Sequence, residues 1–252
     1  GARAGTAPSD PDGTVRAMAT APGDRIDVLD QGFVRLDAAL ADDLSVANAA
    51  RVSFGIRKEA LDESDRGLIG FLMRERHGSP FEHNAFRFHV RCPIFVAREW
   101  FRHRVGSYNE LSARYKELDG AFYLPAPEDV RTQVGKPGAY TFETVEAERA
   151  ERTRERLREA YEAAYATYQA LLADGIAKEV ARAVLPVGIY TEFFWTLNAR
   201  SLMNFLSLRN SANAQREIRR YAEALERFFA DAMPVTYAAF VATTDRQLHA
   251  CA

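Results

Sequence analysis

Cysteine is almost missing from this chain. Only Cys92 and Cys251 occur in 252 residues, which excludes a disulfide framework and the small stapled folds that depend on one. Long apolar runs are missing as well. None reaches the roughly 18 residues of a membrane-spanning helix, and no basic head followed by an apolar stretch stands near the N-terminus, so neither a span nor a secretory leader is expected. Charge of one sign is not in excess: 33 Lys and Arg against 35 Asp and Glu give a net charge of -2. A protein that coats nucleic acid would show a basic surplus. There is no G-x-G-x-x-G fingerprint. The histidines make no compact zinc motif: His77, His83 and His89 are spaced too widely, no cysteine completes a set, and no metal is expected. A reducing compartment, read as the cytoplasm, follows from the sparse cysteine.

What is present is enough for a sizeable core. The chain is 47% hydrophobic and 27% charged, the balance of an ordinary globular domain. Residues 1–24 are rich in Gly, Ala, Pro, Asp and Thr without apolar period and read as a disordered extension. A single domain is expected over residues 25–240 and a tail over 241–252. IDVLDQGFVRL (26–36) predicts strand, turn and strand, with Gly32 supplying the turn, and residues 38–51 a short helix. Leu68, Ile69, Leu72 and Met73 recur at helical spacing, so a second helix is expected between Asp65 and Glu75. FRFHVRCP (86–93) alternates: Phe86, Phe88, Val90 and Cys92 point one way, Arg87, His89 and Arg91 the other. Pro93 then suits the start of a helix through Arg102. Residues 120–142 read as an irregular loop and Glu143–Ala173 as a long helix with a stripe of Leu157, Tyr161, Tyr165, Tyr168 and Leu172. A short helix over 176–185, a strand at GIYTEFFWTL, a helix capped by Asn198 and another over 214–232 follow. Strands mixed with unevenly placed helices predict an α+β fold with a mixed or antiparallel sheet and long flanking helices, not a doubly wound sheet.

The chemistry concentrates in RHRVGSYNELSARY, residues 102–115. On the preceding helix Glu99 would share a face with Arg102 and His103. Charge spacing alone is satisfied by a solvated, salt-bridged face. A second cationic cluster directly after the helix asks for more, since the planar guanidinium fork suits phosphate or a flat anionic ring. Ser107-x-x-Glu110 also matches a capping box, which would be purely structural; alternatively Glu110 and Ser112 serve a polar ligand. Cys92, on the apolar side of its strand, should keep its proton and react poorly; Cys251 is penultimate. Any covalent chemistry must therefore manage without a thiolate. Arg209 falls on an apolar stripe with Leu202 and Phe205, where a charge should be paired or meet an anion. Arg182 raises the same question more weakly.

The segment RHRVGSYNELSARY resembles the flavin-dependent thymidylate synthases, fitting their signature R-H-R-x-x-S-x-N-E-x-S-x-R-Y at every fixed position. The likeness extends through ARVSF, SPFEH, FHVRCPIFVAREWFRHR, EVARAVLP and FFWTLNARSLMNFLSLR, from about residue 26 to 240. It implies a homotetramer with active sites between subunits that converts dUMP to dTMP, using FAD, with NADPH and methylenetetrahydrofolate as co-substrates. By matching position it implies that Ser79, Arg102, His103, Arg104, Val105, Glu110, Asn198, Arg200 and Asn204 hold FAD. Glu99, Trp100, Phe101, Arg102, Glu110, Leu111, Ser112, Ala113, Arg114, Arg182 and Arg209 would hold dUMP, with Arg209 activating the uracil. His77 and Ser53 would lie near the flavin or folate. Three positions depart from what relatives often carry: Glu99 replaces Gln, Asn213 replaces His, and Ser79 replaces Thr. The chemistry is coherent with the residues. Methylating uracil C5 needs a nucleophilic ring carbon; without a thiolate at C6, the other route withdraws the N3 proton or stabilises negative charge on N3 and O4, and a fixed guanidinium suits the stabilising role. A non-catalytic RNA- or nucleotide-binding module is the competing reading, and a net charge of -2 with one basic locus speaks against it.

Overall fold

The computed structural model describes residues 21–136 and 139–244. The predicted hairpin forms as β1 (Arg25–Val28) and β2 (Gly32–Leu40), paired antiparallel. Its turn uses Leu29 at φ 59, and Gly32 opens β2 instead of making the turn. The reason for glycine there is space. A Cβ would stand 1.9 Å from the Tyr221 hydroxyl and 2.8 Å from the carbonyl oxygens of Arg91 and Val28. Ordered chain reaches back before residue 25, because Gly23 N–H donates to Leu36 O at 2.7 Å and Leu36 N–H to Asp24 O at 3.0 Å. The rest of the expected extension, residues 1–20, lies outside the described residues.

Helix α1 (Asp43–Arg51) begins later than expected, since residues 38–40 continue β2. Helix α2 (Glu63–Arg74) carries a capping box between Asp62 and Asp65 and buries Ile69 and Leu72. A single turn, α3 (Ser79–Glu82), leads into β3 (Ala85–Pro93). As the alternation predicted, β3 buries Phe86, Phe88, Val90 and Cys92. Helix α4 (Ile94–Trp100) stops two residues short of Arg102. Ser107 through Glu110 form strand β4, so the capping-box reading of this segment is overturned: its backbone groups pair with the sheet. The expected irregular loop holds a second hairpin, β5 (Arg131–Lys136) with β6 (Ala139–Thr144), and helix α5 (Ala147–Ala173) consequently starts four residues late. Helix α6 (Lys178–Ala181) continues into a 3-10 turn, Arg182–Val184, before β7 (Tyr190–Asn198), α7 (Ala199–Arg209) and α8 (Arg216–Ala232). A further helix, α9 (Pro234–Thr243), occupies chain that was expected to run into the tail.

The main sheet has the order β1-β2-β3-β7-β4, and each of its pairings is antiparallel. This is the α+β architecture anticipated. Its inner face packs against α4, α7 and α8 through Phe88, Phe193 and Trp195. Trp100 sits at the centre, its ring in contact with Phe193, Trp195, Phe205 and Tyr221 at centroid distances of 4.9–5.8 Å. Each such side chain removed from water stabilises the fold by roughly 1.5–3 kcal/mol, so the ends of α4 and α7 are pinned to one rigid wall. The outer face carries Arg35, Arg87, His89, Arg91, Glu192 and Phe194, with Phe194 41% exposed. No described helix is long and apolar enough to cross a membrane.

Candidate functional site

Arg209 resolves the anomaly that its sequence position raised. It closes α7, whose start is fixed by Asn198 accepting from Ser201 N–H at 2.9 Å. Its Nε–H donates to His103 Nε2 at 2.9 Å, and its Nη1 pairs with the carboxylate of Glu99. Glu99 does not pair with Arg102, as a salt-bridged helix face would require. It reaches instead across the fold to the far end of α7. The trio is partly shielded, with the Arg209 and Glu99 side chains 20% and 24% exposed. The imidazole of His103 lies against Phe205 at 4.7 Å. Burial, and then the neighbouring Arg209 cation, lower its pKa from 6.5 to about 4. Because Nε2 accepts a hydrogen bond, the ring proton sits on Nδ1. His103 is therefore a neutral acceptor that helps to aim a guanidinium.

The other expected site residues gather at two further places. At the start of α7, Arg200 pairs with Glu82 and lies across Gly78, where a Cβ would come within 2.6 Å of its Nε. This brings Arg200 beside Ser79, with Asn198 at the cap and Asn204 exposed one turn further along. The third place follows β4. The Thr191 hydroxyl donates to Glu110 at 2.7 Å, and Leu111 N–H donates to Glu192 O at 2.8 Å. Arg114 pairs with Glu179 at 3.0 Å, which sets it beside the turn bearing Arg182. Between these places Arg102, Arg104 and Val105 project from the loop after α4 and are exposed. Neither Arg102 nor Arg104 makes an ion pair among the described residues. Phe101, Ser112 and Ala113 are half-buried. The Trp100 side chain is fully buried, so any ligand contact at that position goes through the main chain. Ser53 and His77 are exposed, the latter edge-on to Phe71.

Sequence reasoning missed Gly78, Glu82, Glu179 and Thr191. The first two lie within the recognised SPFEH region or directly beside it and Glu179 opens the recognised EVARAVLP segment, whereas Thr191 becomes visible only when β7 pairs with β4. A cavity of about 510 Å³ lies elsewhere, between β1, the 123–129 loop and α8, lined by Asp27, Asp30, Tyr123, Asp129 and Arg220 among others. It contains none of the expected site residues.

An isoalloxazine dinucleotide needs cations for its pyrophosphate and amide or hydroxyl groups for its ring edges. Unpaired Arg102 and Arg104, Arg200 over its glycine, and Asn198, Asn204 and Ser79 supply that donor set, so the residues fit such a group. Cys92 does not provide an alternative covalent route: it is wholly buried, and burial together with the nearby Glu110 raises its thiol pKa well above the ordinary value. Cys251 lies outside the described residues.

Comparison with known proteins identifies the family. Residues 36–235 match the family described as "Thymidylate synthase complementing protein". The flavin-dependent thymidylate synthase of Thermotoga neapolitana is 47% identical over 217 residues, covering 86% of this chain and 94% of that protein. That of Streptomyces coelicolor is 46% identical over 239 residues, covering 88% and 97%. Among solved structures, the UMP/dUMP methylase PolB from Streptomyces cacaoi, bound with 5-Br UMP, superposes with a TM-score of 0.79 at 45% identity, covering 87% of this chain and 97% of its own.

Proposed function

The chain belongs to the flavin-dependent thymidylate synthases, and we propose how its residues divide the work of that reaction, the FAD-dependent methylation of dUMP to dTMP. Methylenetetrahydrofolate supplies the carbon and NADPH the reducing equivalents. When bound, FAD carries the hydride that completes the methyl group. The protein's own task is to hold the flavin and the nucleotide together, exclude water and make uracil C5 nucleophilic.

The observation that carries the reading is Arg209. Its guanidinium is gripped on two sides by Glu99 and His103, at the rim of a core that contains no usable thiolate. A fixed cation in a shielded place stabilises negative charge as it develops on N3 and O4 of the pyrimidine, and the ring's electron density then becomes available at C5. Arg102, Arg114 and Arg182 serve the nucleotide phosphate as always-charged forks, with Phe101, Glu110 and the chain from Leu111 to Ala113 beside them. Ser79, Asn198, Arg200 and Asn204 serve the flavin, joined by His103, Arg104 and Val105 from the loop after α4. Ser53 and His77 extend the same rim towards flavin or folate.

The dispersion of these groups supports the proposed homotetramer. Arg200 and Arg209 stand at opposite ends of α7, about 14 Å apart along its axis. Most of the proposed ligand-contacting side chains are exposed in a single copy. A water-excluding site therefore needs walls from other copies, and the outer sheet face with Phe194 offers them a surface. The reaction's nucleotide and folate substrates and the reduced state of the buried Cys92 support a cytoplasmic location.

The test is direct. Purified protein should be yellow, oxidise NADPH, and form dTMP only with both dUMP and methylenetetrahydrofolate. Offering UMP in parallel decides whether the breadth named for the Streptomyces cacaoi structure extends to this chain. Arg209→Ala should retain flavin and lose about 100- to 1,000-fold in turnover; undiminished dTMP formation would remove Arg209 from its role.

A further inference from the structure

Glu99 is a carboxylate placed beside the guanidinium that must act as a cation, which at first sight weakens it. The geometry shows what it gives in return. A guanidinium has five N–H donors in one plane. In Arg209 the Nε–H is taken by His103 Nε2 at 2.9 Å, and Nη1 is taken by Glu99. Nη2 makes no hydrogen bond among the described residues. Two contacts on different nitrogens fix both the position and the tilt of the plane, and Nη2, the nitrogen with both N–H groups unclaimed, is left to be presented to a ligand. His103 is itself fixed: its ring lies against Phe205, and its carbonyl accepts from the Tyr108 hydroxyl at 2.7 Å. Glu99 sits on the last turn of α4, next to Trp100 in the core. Both ends of the clamp are therefore built on rigid structure, as accurate placement requires.

We propose that Glu99 is a positioning residue: together with His103 it clamps Arg209 so that Nη2 faces N3 and O4 of the uracil, and it is not itself a ligand of dUMP. This rests on the dUMP-methylating reading above and specifies what the carboxylate contributes to it. An amide oxygen accepts the same hydrogen bond, so orientation and charge can be separated by substitution.

Three variants test it. Glu99→Ala should lower kcat about 10- to 100-fold while the KM for dUMP stays within about threefold and flavin content is unchanged. Glu99→Gln should return kcat to within about threefold of the parent, because the acceptor is restored. Adding Glu99→Ala to Arg209→Ala should cost nothing further, since the clamp then has nothing to hold. A rise in KM without a fall in kcat would make Glu99 a substrate ligand and overturn the proposal. So would a Glu99→Gln variant as slow as Glu99→Ala, or additive losses in the double variant. A readout independent of turnover separates this from failure of the reaction assignment. In 15N-arginine-labelled protein an Arg209 Nη–H signal should be protected from exchange in the parent and in Glu99→Gln, and lost in Glu99→Ala, because Nη1 is the nitrogen that Glu99 holds. If the parent made no dTMP yet showed this pattern, the clamp would stand and the reaction assignment would fall. An unprotected Arg209 signal in the parent would remove the clamp.

Discussion

His103 shows how one side chain is set by what touches it. It lies in a run of three basic residues, where sequence alone suggests a further positive charge. Instead, burial and the Arg209 cation hold its pKa near 4, and it works as a hydrogen-bond acceptor. The linkage to stability has a definite sign. Between its unfolded value of 6.5 and about 4, the unfolded chain binds a proton that the native chain does not. Stability contributed by this residue is therefore complete above about pH 6.5 and is lost as pH falls towards 4. Urea midpoints measured from pH 7 down to 4.5 should fall, and His103→Gln should flatten part of that slope. A parent protein that gains stability over this range, with the gain abolished by the substitution, would contradict the neutral assignment. Cys92 is the opposite case, a nucleophile type disarmed by position. Its thiol is buried on the same strand face as Phe86, Phe88 and Val90, which is why the proposed ring activation uses a guanidinium.

At the scale of elements, α7 is the spacer of the site. Its first turn carries Arg200 and its last residue is Arg209, so one helix holds the cation proposed for the flavin and the cation proposed for the uracil at a fixed separation. What keeps α7 aligned is the aromatic wall of Trp100, Trp195 and Phe205. The opposite rim of that wall depends on Gly32. Tyr221 from α8 donates to Arg91 O at 2.8 Å directly over this glycine. Gly32→Ala should destabilise the protein by about 1–3 kcal/mol or more, read as a lower urea midpoint. Tyr221→Phe in the same chain should recover only part of the loss, because the Arg91 and Val28 carbonyls still crowd the new methyl. Full stability in Gly32→Ala would mean that the hairpin shifts freely against α8.

At the scale of the molecule, a single copy leaves the expected site residues at separate places and Phe194 exposed on the outer face of its sheet. On the outer face Phe194 stacks on His89 at 4.9 Å, while Arg91 and His89 share Glu192. This mixed aromatic and charged surface has the composition of an interface core with a polar rim. Phe194→Glu should shift the sedimentation coefficient from that of a tetramer to that of smaller species and release flavin, while the far-ultraviolet circular dichroism spectrum is preserved. A tetramer with full flavin content would take the sheet face out of the assembly.

Much of this protein was determined locally. Alternation specified which face of β3 is buried, Asn198 specified where α7 starts, and RHRVGSYNELSARY identified the family, because strand period, capping and a dense run of fixed residues all act within a few positions. Local pattern also misled where two readings share one spelling. Ser107-x-x-Glu110 spells a cap but pairs as a strand, and the glycines and prolines of 120–142 hid a hairpin because turn residues outnumber its short runs of alternation. Only the tertiary structure decided the partner of Arg209. Glu99 is 110 residues away and His103 is 106 away, and no spacing rule relates the end of one helix to the end of another packed on the same sheet face. That contact exists because the large aromatic side chains between α4, β7 and α7 exclude water together, and charged groups at the rim must then find each other.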